Sequence, residues 1–451
     1  MSWRAIFGVV ALNAWFLVVG TALLFGLRGW RSWGELARLC GLAYMLGVAA
    51  TSTVLVWSLV VAIPFSVWTV LAVGVVVAVV AVAVGVRLGR RMPPRAGLRL
   101  PALSLVAAVF AALVAVYGEA QFRAGRLASL TEFDGWFFWV AKARAIYFFG
   151  GLDRQFFAEL PHHGYPPLVP TVEAAAMRFM GSPDVVTLHL QFWFLLVGFV
   201  AALVGVLAPR IPALFLWPPL LLVLVTPRVV GYALQAQADF LVEELLALAA
   251  LLIGLWLVDR RDWQLVAAAI LLAAAMLSKR EGLLFGACVV LAALGATWRD
   301  KRAAWTRLVA VGVAAAAATV PWWILLHVRG LGAETPEAGG VGLFSHLDLA
   351  WPSLKLTFST LFDYHQWLVV SPVVVLALAS SFVAGARRIT GYAALVYGFG
   401  VLALTYSSWS FPSIPITKAP INPIIRLTGW LVLTSAALLP LVLREGWEGE
   451  R

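Results

Sequence analysis

Residues 67–86 read VWTVLAVGVVVAVVAVAVGV, a stretch without a single charged side chain. A helix of about 20 apolar residues spans the hydrocarbon core of a bilayer, so this stretch predicts a transmembrane helix. Hydrophobic residues make up 62% of the 451-residue chain and charged residues 12%, about half the charged share of a soluble domain. The composition excludes a series of soluble domains. It predicts an all-α, polytopic membrane protein.

Similar apolar segments recur along the chain and predict about 13 transmembrane helices, within a range of about 12 to 14. We divide the chain into N-terminal transmembrane helices (1–100), a transmembrane core with the loop 119–185 (101–330) and C-terminal transmembrane helices (331–451). The predicted segments are 5–27, 39–62, 66–86, 101–118, 186–207, 211–226, 238–258, 263–277, 282–297, 305–327, 368–386, 391–405 and 427–443.

Basic residues are concentrated in short loops that alternate correctly with the predicted helices. The positive-inside rule makes that side cytoplasmic, together with the C-terminus. This sidedness accounts for the net charge of +11, and no nucleic-acid partner is expected. The Ala-, Val- and Arg-rich composition suggests a bacterial inner membrane. The basic loops are LGRRMPPRAGLR (88–99), DRRD (259–262), WRDKRAAWTR (298–307) and GARRIT (385–390).

The opposite, extracytoplasmic side carries three long loops, 119–185, 328–367 and 406–426, and five of the six histidines. Because this side is richer in reactive side chains than the short basic loops, we expect the chemistry to take place there.

The first long loop contains FDGWFFWVAKARAIYFFGG (133–151). Asp134 is a good N-cap, the run to Phe149 has helical character, and Gly150 would end the helix. Aromatic and cationic residues suit a helix in the headgroup layer, where Lys142 and Arg144 would meet lipid phosphates. The alternative is a structural juxtamembrane helix that Asp134 merely caps.

Two further segments of this loop are HHGYPPLVP (162–170) and PTVEAAAMRFMG (170–181). The first predicts a rigid extended loop, and the second predicts a short helix from Pro170 to Gly181. His162 and His163 are candidates for binding a metal or a carboxylate. The alternative is that both are loop histidines in water.

Three acids lie at the start of the segment QAQADFLVEELLALA (235–249). Glu243 follows Asp239 by one helical turn on the same face, and Glu244 is its neighbour. Acids at a membrane helix end are costly and usually face a cavity or a partner. Capping of the helix N-terminus accounts for Asp239 but not for three acids in six residues.

A short charged turn, SKREG (278–282), separates two apolar segments on the extracytoplasmic side. Lys279 and Arg280 are suited to phosphate, and Glu281 to a cation or to pairing with them. The alternative is a snorkelling, ion-paired turn. Lys418 and Arg426 lie in the segment before the last predicted helix.

Four stretches in this order, FDGWFFWVAKARAIY, HHGYPPLVP, QADFLVEELLA and LSKREG, resemble the C-type glycosyltransferase superfamily, whose members use polyprenyl-phosphate sugars as donors. The likeness is to bacterial members related to protein O-mannosyltransferases and aminoarabinose transferases, over roughly residues 105–330. In the loop, the family usually has a proline and an acid between histidine and tyrosine. This chain has only Gly164 there, so an acidic contribution is missing.

The resemblance implies a membrane enzyme that transfers a sugar with inversion. An acceptor hydroxyl or amine attacks the anomeric carbon, and polyprenyl phosphate leaves. Asp134 matches the first-loop acid that deprotonates or orients the acceptor, and Asp239 is the second catalytic candidate. The acceptor is a lipid, a glycan or a protein, and the surrounding membrane lipids are further partners.

The leaving phosphate needs cations or a divalent metal, Mg or Mn, near it. The expected donor-phosphate ligands are Lys142, Arg144, Lys279, Arg280 and Arg426. The expected substrate contacts are His163, Tyr165 and Glu243, and the expected metal ligands are Glu281 and His162.

Two other functions fit the pattern less well. A secondary transporter needs polar residues near the bilayer midplane, and the predicted midplane is almost free of charge. A lipid-carrier glycan ligase would centre on one large late loop, for which 328–367, with His346 and His365, is the candidate.

Overall fold

The computed structural model describes residues 2–93, 104–300, 302–331, 347–409 and 424–449. The predicted loop 406–426, Lys418 and His346 fall wholly or largely outside these ranges. Helices and turns account for the described residues, with no β-strand among them. The all-α class predicted from composition is therefore confirmed.

The helices are numbered α1 to α21 in chain order. The first eleven are α1 Trp3–Leu27, α2 Trp33–Arg38, α3 Cys40–Val60, α4 Val67–Arg87, α5 Leu105–Leu127, α6 Val140–Phe149, α7 Arg154–Glu159, α8 Leu168–Met180, α9 Val185–Leu207, α10 Ala213–Leu224 and α11 Pro227–Tyr232. The remainder are α12 Ala238–Asp259, α13 Asp262–Ser278, α14 Glu281–Ala296, α15 Arg302–Ala317, α16 Val320–Val328, α17 Ala350–Leu361, α18 Tyr364–Trp367, α19 Val370–Val383, α20 Arg388–Trp409 and α21 Ile424–Gly449.

Nine helical segments in the described ranges are long and apolar enough to cross a membrane, with α15 and α16 forming one of them. A tenth is added if Leu347–Trp367 and Val370–Val383, bent by 115°, form one span. The three other predicted segments are the shorter helices α10, α13 and α14, of 12, 17 and 16 residues. At 1.5 Å per residue these fall short of the roughly 30 Å hydrocarbon core. A polytopic membrane protein is thus confirmed, and the count of 13 stays a prediction.

The first long loop contains the predicted juxtamembrane helices, α6 and α8, together with the short α7. Gly150 and Gly181 end α6 and α8 in the left-handed conformation, as predicted. Two details differ. Helix α8 begins at Leu168 rather than Pro170, and residues 135–139 form a π-helical turn before α6. Asp134 is itself helical and makes no capping hydrogen bond, so the prediction that it is an N-cap is wrong.

Helix α12 is the centre of the bundle. Of its apolar stretch, 94% is buried inside the protein, and α13 and α21 pack most extensively against it. Its 22 residues give a length of about 33 Å. The acidic start of α12 and its basic end at Arg260 therefore lie on opposite faces of the bundle.

The basic loops share one of these faces. Residues from the ends of α1 and α4 and from the turn between α12 and α13 line one cavity. Ion pairs connect the remaining basic loops to the same end: Arg307 Nη1 lies 2.7 Å from Asp262 Oδ1, and Arg388 Nη2 lies 3.6 Å from Asp300 Oδ2. We call this end the basic face. The grouping of these loops on one side agrees with the alternation in the sequence.

Helices α1 and α3 approach closely through glycine. A Cβ atom on Gly47 would lie 1.9 Å from the carbonyl oxygen of Phe16, and one on Gly20 would lie 1.6 Å from that of Ala43. Small residues allow such backbone contact between membrane helices, where dispersion forces drive association. Because the obstacles are backbone atoms, a rotamer change cannot relieve them.

We expect Gly47→Ala to destabilise the protein by about 1–3 kcal/mol, because the added methyl group forces α1 and α3 apart. The matched control is Gly398→Ala in α20, where a Cβ meets no atom within 4 Å. The control should be neutral or slightly stabilising, since alanine is the better helix former. Thermal unfolding in detergent measures both, and equal melting temperatures would contradict the close packing.

Candidate functional site

A buried ion pair joins two of the predicted segments. Lys279 Nζ lies 2.7 Å from Oδ1 of Asp239 and 3.9 Å from Oε1 of Glu281. Asp239 lies in the first turn of α12 and Glu281 in the first turn of α14, where the helix dipole favours an acid. Side-chain exposure is only 8% for Lys279 and 3% for Asp239. The three charges therefore interact in a largely water-free environment.

The histidine–tyrosine loop closes over this ion pair. The Tyr165 hydroxyl donates to Oε1 of Glu281 at 3.3 Å, and Arg280 Nε donates to the carbonyl of Gly164 at 3.2 Å. The Arg280 guanidinium lies 5.4 Å from the Tyr165 ring centre. Burial and the nearby Glu281 carboxylate raise the pKa of Tyr165. The hydroxyl therefore stays protonated and acts as a donor.

A second ion pair brings in the first and last of the predicted residues. Arg426, near the start of α21, pairs with Asp134, which is 292 positions away in the chain. A cation is disfavoured at a helix N-terminus, and the Asp134 carboxylate offsets this. The Arg228 side chain donates to the main-chain carbonyl of Arg426 at 3.2 Å and so helps to fix the start of α21.

A small cavity connects the two ion pairs. Its volume of about 10 Å³ is room for about one water molecule. Glu243 also lines it, with its carboxylate against the backbone of Gly429 in α21. Phe285 and Trp430 form an apolar wall, with their rings stacked 4.4 Å apart. We call this arrangement the charged junction, defined by Asp134, Tyr165, Asp239, Glu243, Lys279, Glu281 and Arg426.

The first turns of α12, α14 and α21 all meet at the charged junction. Each helix N-terminus contributes a partial positive charge and free backbone N–H groups. Together with Lys279 and Arg426, they make the junction a favourable environment for anions. In the structure, carboxylates of the chain itself occupy that environment.

Lys142 and Arg144, both predicted to meet lipid phosphates, differ in their burial. Lys142 is fully buried, its ammonium group donates to the main-chain carbonyl of His162, and it lies 5.7 Å from the ring centres of both Phe138 and Trp139. It is thus not on the membrane-facing surface, because the aromatic rings and the carbonyl enclose it. Arg144 is exposed, as the prediction of contact with lipid phosphates requires.

The two histidines of the loop also separate. The His162 ring packs edge-on against Phe138 and Tyr165. His163 is half-buried, and its side chain makes no hydrogen bond or ion pair with any described residue. The structure therefore shows neither histidine in contact with the charged part of the junction.

The carboxylates of the junction are the groups that could bind a divalent metal. Within the described ranges, no three His, Cys, Asp or Glu side chains come close enough together to hold one. Oδ2 of Asp239 and Oε2 of Glu281 are buried without a hydrogen-bond partner, so each has an oxygen to offer. These two carboxylates are the residues that would hold a metal; a His162 contribution stays a prediction.

Sequence reasoning missed a second buried cluster beside the junction. Glu132 Oε1 accepts from the backbone N–H of Ala236 at 2.8 Å and lies 3.7 Å from His189 Nε2. Both carboxylate oxygens of the fully buried Glu173 lack a hydrogen-bond partner. Arg228, also buried, was missed as well. Isolated charges in apolar segments are the signal that would have identified Glu173 and Arg228.

The Lys279–Asp239 pair predicts a large difference between single and double substitutions. Lys279→Met leaves the Asp239 carboxylate buried without its cation, which we expect to cost about 3–5 kcal/mol of folding free energy. Adding Asp239→Asn removes that charge and should recover most of the loss. Thermal unfolding measures both, with the exposed Lys355→Met as control. If the double variant instead loses as much stability as the two single substitutions added together, the ion pair does not stabilise the site.

Glu132 gives a pH dependence. Burial alone would raise its pKa, but contacts with His189 and the backbone N–H of Ala236 stabilise the charged form and lower the pKa below the ordinary 4.5. The resulting stabilisation is complete above pH 4.5 and is lost as the pH falls through the lowered folded-state value. The melting temperature of the wild type should therefore decrease more steeply below that pH than the melting temperature of Glu132→Gln. An equal pH dependence in the two proteins would show that Glu132 does not have a lowered pKa.

Comparison with protein-family models, with curated proteins and with solved structures gives no match to this chain.

Proposed function

We propose that the protein is a membrane glycosyltransferase that moves a sugar from a polyprenyl-phosphate donor to an acceptor with inversion at the anomeric carbon. One observation carries the proposal. Four stretches that resemble the C-type glycosyltransferases, spread along the chain from Asp134 to Glu281, contribute charged or hydrogen-bonding side chains to one region of the fold. In a helix bundle without an active site, four separate turns would not be expected to bring their polar side chains together.

The donor phosphate is the natural anion for this environment. Lys279 and Arg426 are the cations of the charged junction, and three helix N-termini point towards them. Charge-assisted hydrogen bonds of this kind stabilise a developing phosphate anion, which is the leaving group of the reaction. Arg280, in contact with the Tyr165 loop, and Arg144 at the exposed surface are further phosphate ligands.

The ion pairs suggest how donor binding activates the base. In the structure Arg426 is neutralised by Asp134. A phosphate that takes Arg426 as its partner releases the Asp134 carboxylate, which then accepts a proton from the acceptor hydroxyl or amine as that group attacks the sugar. Polyprenyl phosphate leaves with the electron pair of the broken C–O bond. Exchange of one anion for another at Arg426 thus couples donor binding to catalysis.

Asp239 and Glu281 hold Lys279 in place and carry the unpaired oxygens noted above. Bound there, a divalent metal would neutralise charge on the leaving phosphate. Glu243 and Tyr165 border the same space and are the proposed substrate contacts, with His163 in the adjoining turn.

The side of the membrane on which we place the reaction follows from the charge of the basic face. The charged junction lies at the end of α12 opposite the basic face, and the positive-inside rule assigns the basic face to the cytoplasm. We therefore place the reaction on the extracytoplasmic face of a bacterial inner membrane, with the C-terminus in the cytoplasm.

One observation favours secondary transport as a second candidate. Both oxygens of the fully buried Glu244 in α12 lack a hydrogen-bond partner, as do those of Glu173. Buried carboxylates in membrane helices are typical of proton relays. The glycan-ligase alternative depends on loop 328–367, of which residues 332–346 lie outside the described ranges.

The first test is the melting temperature of the detergent-purified protein in a titration with polyprenyl phosphate. A ligand that binds only the folded state stabilises it by about 2.7 kcal/mol at a hundredfold excess over Kd. We expect Asp134→Asn to keep this stabilisation because Arg426 is still present. Asp239→Asn/Lys279→Met should lose most of it because the Lys279 cation is absent.

Two comparisons make the result specific. The corresponding polyprenol, which lacks the phosphate, should give no comparable shift, and Lys355→Met should behave as wild type. Sugar transfer by Asp134→Asn should fall by about 10²–10⁴-fold, the usual contribution of a general base. Equal shifts with phosphate and alcohol, or no shift with either, would refute the transferase and favour transport.

A further inference from the structure

A large cavity lies on the basic face, at the other end of α12 from the charged junction. Its volume is about 780 Å³, within the usual range for ligand pockets. Three short segments line it: residues 26–31 at the end of α1, 88–91 at the end of α4, and 261–263 at the start of α13. Gly29 and Gly89 follow α1 and α4 in the left-handed conformation and allow the chain to turn at the cavity wall.

The charge of this cavity is almost entirely of one sign. Five arginines line it: Arg28, Arg31, Arg90, Arg91 and Arg261. The acid among the described lining residues, Asp262, already pairs with Arg307 at 2.7 Å. Asp262 is therefore not available to neutralise the arginines that line the cavity.

Two of the five arginines already have protein partners. Arg28 pairs with Glu35 at 2.5 Å, and Arg90 donates to the carbonyl of Leu27 at 3.2 Å. The side chains of Arg31, Arg91 and Arg261 are exposed and make no ion pair or hydrogen bond with any residue the structure describes. Three cations are thus left to meet an anion from outside the chain.

The cavity also has an apolar side. Val84 of α4, Leu88 directly after that helix and Val266 of α13 line it and are 44%, 61% and 48% exposed. Trp30 and Trp263 also line the cavity, and tryptophan favours the boundary between headgroups and hydrocarbon. Val84 and Val266 lie farther inside α4 and α13 than the arginines do. The lining therefore changes from cationic to apolar along the direction in which a lipid changes from headgroup to chain.

We propose that this cavity binds the phosphate headgroup of an anionic membrane phospholipid, with the acyl chains against α4 and α13. The three free arginines take the phosphate oxygens, and the apolar rim takes the first methylene groups. A soluble phosphate would use only the first of these features. A zwitterionic lipid brings its own cation, which the arginines would repel. The site is independent of the transferase proposed above.

The test is a native mass spectrometry titration of the full-length protein in a non-ionic detergent. Phosphatidylglycerol, phosphatidylcholine and inorganic phosphate are the three probes. The test variant carries Arg31→Gln, Arg91→Gln and Arg261→Gln. At about 1 kcal/mol for each basic residue, its Kd for phosphatidylglycerol should be about a hundredfold weaker than that of wild type. Phosphatidylcholine should bind weakly and equally to both.

The matched control carries Arg299→Gln, Arg302→Gln and Arg387→Gln, which remove the same charge from exposed positions on the same face. It should bind phosphatidylglycerol as wild type does. Equal weakening in both triple variants would assign the effect to general surface charge and overturn the proposal. Inorganic phosphate binding as tightly as the lipid would also overturn it. If the triple variant does not fold, Arg261→Gln alone should weaken phosphatidylglycerol about fivefold, and no change would refute the site.

Discussion

Hydrocarbon offers no hydrogen-bond partner to a peptide group, and most features of this protein follow from that constraint. Every backbone group within the membrane has to be satisfied inside its own helix, which is why the described chain consists of helices joined by turns. The same constraint moves charge to the helix ends. Helix α12 shows this most clearly: its acids lie in the first two turns, Asp259 ends it, and the residues between them are apolar.

At the charged junction the cations that leave water meet carboxylates of the chain, and these pairs determine the geometry of the junction. Lys279 lies between two carboxylates, and Arg426 meets the carboxylate of a residue 292 positions earlier in the sequence. Breaking such a pair from one side is costly, whereas replacing one anion by another leaves the charge balance unchanged. For the proposed donor phosphate, binding would exchange the Asp134 carboxylate for the phosphate at Arg426. The cavity between the two pairs has room for about one water molecule.

The apolar segments could be predicted from the sequence because span length depends on bilayer thickness and not on tertiary contacts. Lys279, Asp239 and Glu281 could be selected for a similar reason, since charge between apolar helices is costly wherever it occurs. The partner of each charged side chain could not be predicted. Asp134 has the residue type and position of an N-cap, but Arg426 competes for its carboxylate, and no local pattern records a partner 292 positions away.

The burial of individual side chains could not be predicted either. Lys142 and Arg144 are two positions apart in α6, one fully buried and one exposed, because aromatic rings and a loop carbonyl enclose only the first. The number of membrane crossings is open for a related reason. Helices α10, α13 and α14 are apolar enough to cross but short, and α10 carries prolines at positions 218 and 219. Their neighbours, rather than their own length, determine how deeply they lie.

Two cations line the cavity at the charged junction and five arginines line the cavity at the basic face, and the two sets differ in how far the chain neutralises them. At the charged junction each cation of the cavity faces a carboxylate of the chain, so a ligand has to compete with an internal anion. At the basic face three arginines have no such competitor, and the cavity is open. Competition would make occupancy at the junction dependent on the ligand's charge and fit, as the proposed transferase needs for a donor phosphate that leaves after each turnover. An uncompeted, open cationic site instead stays occupied by whatever anion is most abundant nearby, and at the surface of a membrane that anion is a lipid phosphate.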